Sequence, residues 1–129
     1  MNRKEVENYI FETYGVKKES PWADDPESII FRHGLNRKWF ALIMRIPKKR
    51  LGISSEEEVD VMNVKSYPEL IGSLRFSEGF FPAYHMNKTH WITVLLDENA
   101  DKEKIKTLLD ISYELTKGGK ITQVRKERL

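Results

Sequence analysis

The residues best equipped for chemistry in this chain of 129 residues fall in one run, Tyr84-His85-Met86-Asn87-Lys88-Thr89-His90-Trp91. Two imidazoles beside an amide, an ammonium and an indole invite metal ligation, proton transfer or anion binding. Spacing weighs against the first two. Residues five apart on one strand point to opposite faces, and no carboxylate lies close in sequence to complete a ligand set. The alternation of Ile92, Val94 and Leu96 places His90 with them on a core face, where an imidazole serves as hydrogen-bonding structure. No metal and no cofactor is expected.

Other catalytic chemistries find still less support. The chain has no cysteine, which removes thiol nucleophiles, disulfides and thiolate metal sites. It has no G-x-S-x-G elbow and no phosphate-binding glycine loop, and Gly118-Gly119 follows a helical pattern instead of opening one. Adjacent acids at Asp24-Asp25 and Glu56-Glu57-Glu58 read as solvated surface. No catalytic residue is assigned, and a non-enzymatic protein is expected.

Cations and aromatics form the third candidate. On the strand Lys38–Ile46, alternation puts Trp39, Ala41, Ile43 and Arg45 on one face and Phe40, Leu42, Met44 and Ile46 on the other. Trp91 and Thr93 lie on the non-core face of their own strand. If the two sets share the open side of a sheet, Trp39 and Trp91 make a stacking platform. Lys38, Arg45, Lys48, Lys49, Arg50 and Lys88 around it supply phosphate contacts. The plainer reading has Trp22 or the C-terminal segment covering the indoles, and the lysines protecting a sheet edge.

The elements that must position these residues can be traced from their punctuation. Asn2 with Glu5 forms a capping box for a helix over about 3–14, stopped by Gly15. The stretch from Lys17 to Glu27, broken by Pro21 and Pro26, is a loop with Trp22 tucked in. Ser28–His33 and Lys38–Ile46 form a hairpin around Gly34-Leu35-Asn36-Arg37. Pro47 breaks the second strand, and a charged connection leads to a third at Val59–Val64. Ser66-Tyr67-Pro68-Glu69 reads as a capping box for a short helix carrying Leu70, Ile71 and Leu74. Gly79-Phe80-Phe81-Pro82 is irregular, a fourth strand spans Thr89–Leu96, and Asp101 caps a last helix ending at Gly118-Gly119. Elements in this order define an α+β fold, a single antiparallel sheet with helices packed on one face and the other face available.

Bulk properties agree with one domain. Its length suffices for a single core without disulfides or metals, and 40% hydrophobic with 33% charged residues is ordinary globular composition. Residues 1–117 read as that domain. Residues 118–129 read as a basic C-terminal tail, in which Lys120, Arg125, Lys126 and Arg128 could embrace a phosphate backbone. No apolar run is long enough to span a membrane, so a cytoplasmic protein, monomeric or a small homo-oligomer, is expected. A formal net charge of +2 is too small to identify a nucleic-acid partner by itself.

Lys38-Trp39-Phe40-Ala41, Lys65, the signature Tyr84, His85, Met86, Asn87 and Lys88 with His90 and Trp91, and Ser112-Tyr113 together resemble the MmcQ/YjbR family of small bacterial proteins over about residues 1–117. The resemblance implies a frataxin-like α+β architecture with two hairpin wings, and a DNA-binding role inferred for the family from its fold. It carries over no catalytic residues, and the role of the signature positions stays open. Iron binding of the frataxin type would need an acidic ridge, whereas the first helix mixes Glu5, Glu7 and Glu12 with Arg3 and Lys4. The leading expectation is therefore a non-enzymatic DNA-binding protein using basic hairpin tips and an aromatic sheet face. The alternatives are a small anionic ligand site built from His85, Asn87, Lys88 and His90, and a protein-interaction domain.

Overall fold

The computed structural model describes residues 1–118. The helix α1 (Arg3–Tyr14) starts where Asn2 accepts from the Glu5 N–H while the Glu5 carboxylate accepts from the Asn2 N–H, and it stops at Gly15 in the left-handed region. Strands β1 (Ile29–Arg32) and β2 (Trp39–Pro47) form the first hairpin. Pro47 ends β2, but the connection is ordered into a 3-10 turn, Lys48–Leu51, before β3 (Glu58–Lys65). Then come α2 (Pro68–Leu74), β4 (Phe80–Pro82), β5 (Trp91–Leu95) and α3 (Lys102–Thr116), the last capped by Asp101.

The five strands form one antiparallel sheet in the order β1-β2-β3-β5-β4. This confirms the α+β class and adds a strand: Phe80–Pro82, expected to be irregular, pairs with Thr93 and its neighbours at the sheet edge. Proline is tolerated there because an edge strand needs donors on one side only. The expected capping box at Ser66 is also absent. The N-cap is Tyr67, with no side-chain cap, and the buried Ser66 Oγ has no hydrogen-bond partner among the described residues. Pro68 in the first turn, which lacks the N–H a cap would serve, starts the helix by itself.

One face of the sheet packs against the helices. Val6 and Ile10 of α1, Ile71 and Leu74 of α2, and Ile105, Leu108 and Leu109 of α3 meet Ile29, Phe31, Phe40, Ala41, Ile43, Met62, Val64, Ile92 and Val94 in the main core. The opposite face is not available as expected. Ile30, Leu42, Met44, Ile46 and Val61 form a second buried cluster, against which Leu51, Tyr84, Met86 and Trp39 pack.

Strand alternation fails at one place in β2, and the failure reassigns two residues. Phe31 is opposite Ala41 but Arg32 is opposite Trp39, so Phe40 is an extra residue in the ladder. Such a bulge lets successive side chains share a side. Phe40 joins Ala41 and Ile43 in the helical core, and Trp39 moves to the second cluster. Trp39 therefore does not share a face with Arg45. Arg45 instead reaches Asp60 at 3.3 Å and Glu58 at 4.0 Å, next to Arg3 of α1.

The bulge frees backbone groups that α3 then satisfies. The Ser112 hydroxyl, fully buried, donates to the Phe40 carbonyl at 2.6 Å and accepts the Lys65 N–H at 2.9 Å. The next residue, Tyr113, stacks on Tyr14 with ring centroids 4.2 Å apart and meets Phe40 edge-on at 5.1 Å. Tyr9 and Tyr14 both donate to Asp110 Oδ1, which ties α1 to α3, and burial first and this carboxylate second raise the pKa of both phenols. Removing the hydroxyl in Ser112→Ala strands two buried backbone groups. The expected loss is about 1–3 kcal/mol in urea unfolding, and a change within error would disprove this account.

His33, between the first hairpin and the end of α3, is 7% exposed and sits 2.7 Å from Thr116 Oγ1. Thr116 donates its hydroxyl proton to the Ser112 carbonyl at 2.8 Å, so the imidazole Nε2–H is the donor to Thr116. Burial pushes the His33 pKa below its ordinary value. A folded pKa lower than the unfolded one means that the unfolded chain binds the extra proton first. Stability is therefore whole above about pH 6.5 and declines below it, by at most about 1.4 kcal/mol per pH unit. Denaturation midpoints measured from pH 7.5 to 5 are expected to fall for the native chain and to stay flat in His33→Gln.

Candidate functional site

The signature run is organised by two polar strand residues beneath it. Asn63 on β3 and Thr93 on β5 are both 0% exposed and lie opposite each other across the sheet. The Asn63 amide donates from Nδ2 to the Tyr84 carbonyl at 2.8 Å. Thr93 donates its hydroxyl to Asn63 Oδ1 and accepts the Tyr84 N–H at 2.9 Å. Both backbone groups of Tyr84 are thus fixed to the sheet, and the loop after β4 is drawn across the face that has no helices. Its Tyr84 and Met86 side chains pack on the second cluster.

The remaining signature residues hold the loop's shape. Asn87 Oδ1 accepts the N–H groups of Thr89 at 2.9 Å and His90 at 3.2 Å, and its carbonyl accepts the Trp91 N–H at 3.0 Å. That is the turn chemistry for which a short amide side chain is suited. Lys88 Nζ donates to the Ala83 carbonyl at 2.8 Å, closing the loop on itself. His85 adopts a positive φ of 61° and packs its ring 3.9 Å from that of Tyr84.

His90 departs from expectation. Strand β5 begins at Trp91, so His90 sits in the preceding turn and is exposed instead of facing the core. The Asn87 turn ends the region where alternation applies. His85, Asn87, Lys88 and His90 do not converge on a common point: Asn87 and Lys88 bond within their loop, and only Lys88 lines a cleft. Among the described residues no three His, Cys, Asp or Glu side chains group as a metal would need.

The cation and aromatic candidates separate in the same way. Trp39 is half-buried and meets Trp22 edge-on, with centroids 5.7 Å apart, as the plainer reading expected for this one indole, but Trp22, expected to be tucked in, is exposed at 36% because it rests on Trp39 alone among the described aromatics. Trp91 alternates with Ile92 onto the same face and is half-buried. Lys48 pairs with Glu57 at 2.6 Å and Lys49 with Glu56 at 3.2 Å across the β2–β3 hairpin, and the Lys48 ammonium holds the Glu57 carboxyl below its usual range. Arg50, Lys38 and Lys88 form no ion pair among the described residues. The tail from residue 119 lies outside the described residues.

Arg50 and Lys88 line one notch. With Leu51, Phe81, Pro82, Ala83 and Tyr84 they line a notch of about 210 Å³ between the 3-10 turn and the edge strand β4. Arg50, Lys88 and Tyr84 border it, and among the described residues no Asp or Glu does. A larger cleft of about 490 Å³ lies at the start of α3, bordered by Glu78, Asp97, Asp101 and Lys104. Three of its four charged groups are engaged: Asp101 caps α3, Asp97 accepts the Asn99 N–H, and Lys104 lies over the Phe80 ring. Sequence reasoning missed Asn63, and it placed Thr93 on the correct face without finding its role. The available signal was Asn63 itself, an amide in the otherwise apolar centre of β3.

Fold and site together define a small α+β domain with one antiparallel sheet, helices on one side and a clamped loop on the other. The YjbR family pattern matches residues 11–115, and the chain belongs to that family. YyaQ of Bacillus subtilis is 35% identical over 117 residues, covering 91% of this chain and 99% of YyaQ. YjbR of Escherichia coli K12 is 30% identical over 82 residues, covering 62% of this chain and 70% of YjbR. A crystal structure of a protein from Pseudomonas syringae superposes with a TM-score of 0.87 at 46% identity, covering 90% of this chain and 99% of that one. A Deinococcus radiodurans protein of the DUF419 type follows at 0.67 and 25% identity, covering 88% and 77%.

The clamp on Tyr84 leads to a direct test. Asn63→Leu keeps the branched shape, with bulkier methyl groups, but strands the Tyr84 carbonyl and the Thr93 hydroxyl, and is expected to cost about 2–5 kcal/mol. Amide exchange at Tyr84 should accelerate more than exchange at buried positions of α3. Uniform acceleration would mean that the clamp is not local.

Proposed function

We propose that the protein is a non-enzymatic nucleic-acid-binding protein of the cytoplasm, DNA being the expected polymer, which grips the phosphate backbone around the Arg50–Lys88 notch. The observation that carries this reading is the convergence of two cations 38 positions apart in sequence on one cleft without a bordering carboxylate. Arginine presents a planar fork suited to phosphate, and Lys88 keeps two N–H donors after bonding Ala83. Lys48 and Lys49 stand beside Arg50 in the same 3-10 turn, and Lys38 stands just before β2. In this reading the wings that the family resemblance implies are the β1–β2 and β2–β3 hairpins. Trp39 and Trp91, half-buried on the covered face, contribute packing, and Arg45 serves Asp60.

The ion pairs of Lys48 and Lys49 do not oppose this role. Exposed pairs contribute about 0–1 kcal/mol, so a phosphate can compete for either lysine. The nearby carboxylates still repel the polymer. Binding of labelled single-stranded and duplex DNA is expected at low salt and should weaken steeply as salt rises, since each phosphate contacted releases condensed counterion. Glu56→Gln with Glu57→Gln should tighten binding and Arg50→Ala should weaken it. No binding of either form at low salt would rule the reading out.

A further inference from the structure

We infer that the Arg50–Lys88 notch takes one unpaired nucleotide unit, its phosphate between the two cations and its base against the Tyr84–His85 rings, so that single strands are preferred over duplex. This rests on the reading of the protein as a backbone binder and names the form of polymer it selects. The first support is composition. A notch of about 210 Å³ with two cations at its border and a phenol in its wall offers both a charge and a ring face. Bases inside a duplex are stacked on one another and cannot lay a face on a protein ring, whereas an unpaired base can.

The second support is independent and conformational. His85 is exposed, yet it holds a left-handed backbone with φ 61°, which a side chain adopts only where its surroundings impose it. They do so here. The backbone groups of Tyr84 are bonded to Asn63 and Thr93, Met86 is drawn onto the second cluster, and Asn87 is committed to its turn. Glycine would make this turn with less strain. Histidine instead presents a ring 3.9 Å from that of Tyr84, which lines the notch; His85 itself stands beside that lining, not in it. The loop sets this backbone, and the result is an exposed ring packed beside the one that Tyr84 gives the notch.

A free nucleotide offers the same chemistry as one unit of a strand, so the test separates them. Anisotropy of labelled oligothymidylate, alone and annealed to oligodeoxyadenylate, is measured at one low salt concentration. The single strand should bind about tenfold more tightly. His85→Gly should leave the unfolding midpoint unchanged or raised, lower single-strand affinity about five- to thirtyfold and spare duplex affinity. Thymidine monophosphate should displace the strand at concentrations where inorganic phosphate does not.

Equal affinity for strand and duplex, or indifference to His85→Gly, overturns the inference and leaves the backbone-binding reading standing. Equal displacement by phosphate and monophosphate removes the role of the base and also overturns it. Tight monophosphate binding without strand binding overturns both and assigns the notch to a free nucleotide. No binding of any of these probes overturns the reading beneath.

Discussion

The two hydrogen bonds that tie the Tyr84 backbone to the sheet, its carbonyl accepting from Asn63 and its N–H donating to Thr93, are the constraint on which the helix-free side of this protein depends. A fully buried amide among Val61, Met62 and Val64 is expensive unless every polar atom finds a partner. Asn63 finds two, and both lie on the loop side of the sheet. Once Tyr84 is fixed, the following residues have little freedom. Met86 lands on the cluster formed by Leu42, Met44 and Ile46, and the chain must turn sharply at His85 to bring it there. The loop then acts as the cover that a helix provides on the other face.

The helical side uses the same device in reverse. There a regular helix supplies the polar group and the sheet supplies the irregularity. The bulge at Phe40 turns that ring into the main core beside Tyr14 and Tyr113, and its unpaired carbonyl is met by Ser112. A hydroxyl on the apolar stripe of α3 would be a defect against a regular strand. Against a bulge it is the missing partner. The family resemblance at Ser112-Tyr113 and at Trp39-Phe40-Ala41 therefore describes two halves of one contact.

Features set by neighbours in sequence were legible, and features set by partners across the sheet were not. Asn2 with Glu5, Gly15 and Asp101 marked helix ends correctly because capping is decided within a few residues. The first hairpin and the single-sheet class followed from local pattern in the same way. Alternation misplaced Phe40, Trp39 and His90, because a bulge and an early turn shift parity without leaving a local trace. Ser66 mimicked a cap, but Pro68 made that cap unnecessary. The three-residue β4 is strand only through its pairing with β5, which its own length could not announce. At the site, the importance of the signature was legible and its division of labour was not, since Asn87 and Lys88 turn their polar atoms back on their own loop.

Charge was the most misleading quantity, for a physical reason. The run Lys48-Lys49-Arg50 and the run Glu56-Glu57-Glu58 look like separate solvated patches in the sequence, yet the β2–β3 hairpin brings them face to face. What matters for a polyanion is the charge left after this pairing, and its position. Arg50 retains its charge at the notch and Lys88 joins it from a loop whose placement follows from Asn63. A buried amide with no surface of its own thus determines whether two cations stand close enough to hold one phosphate. Electrostatics of this kind gives attraction but little discrimination, because every phosphate is alike. Discrimination requires a group beside the cations that distinguishes a free base face from a stacked one, and Tyr84, fixed by the clamp, lines the same notch.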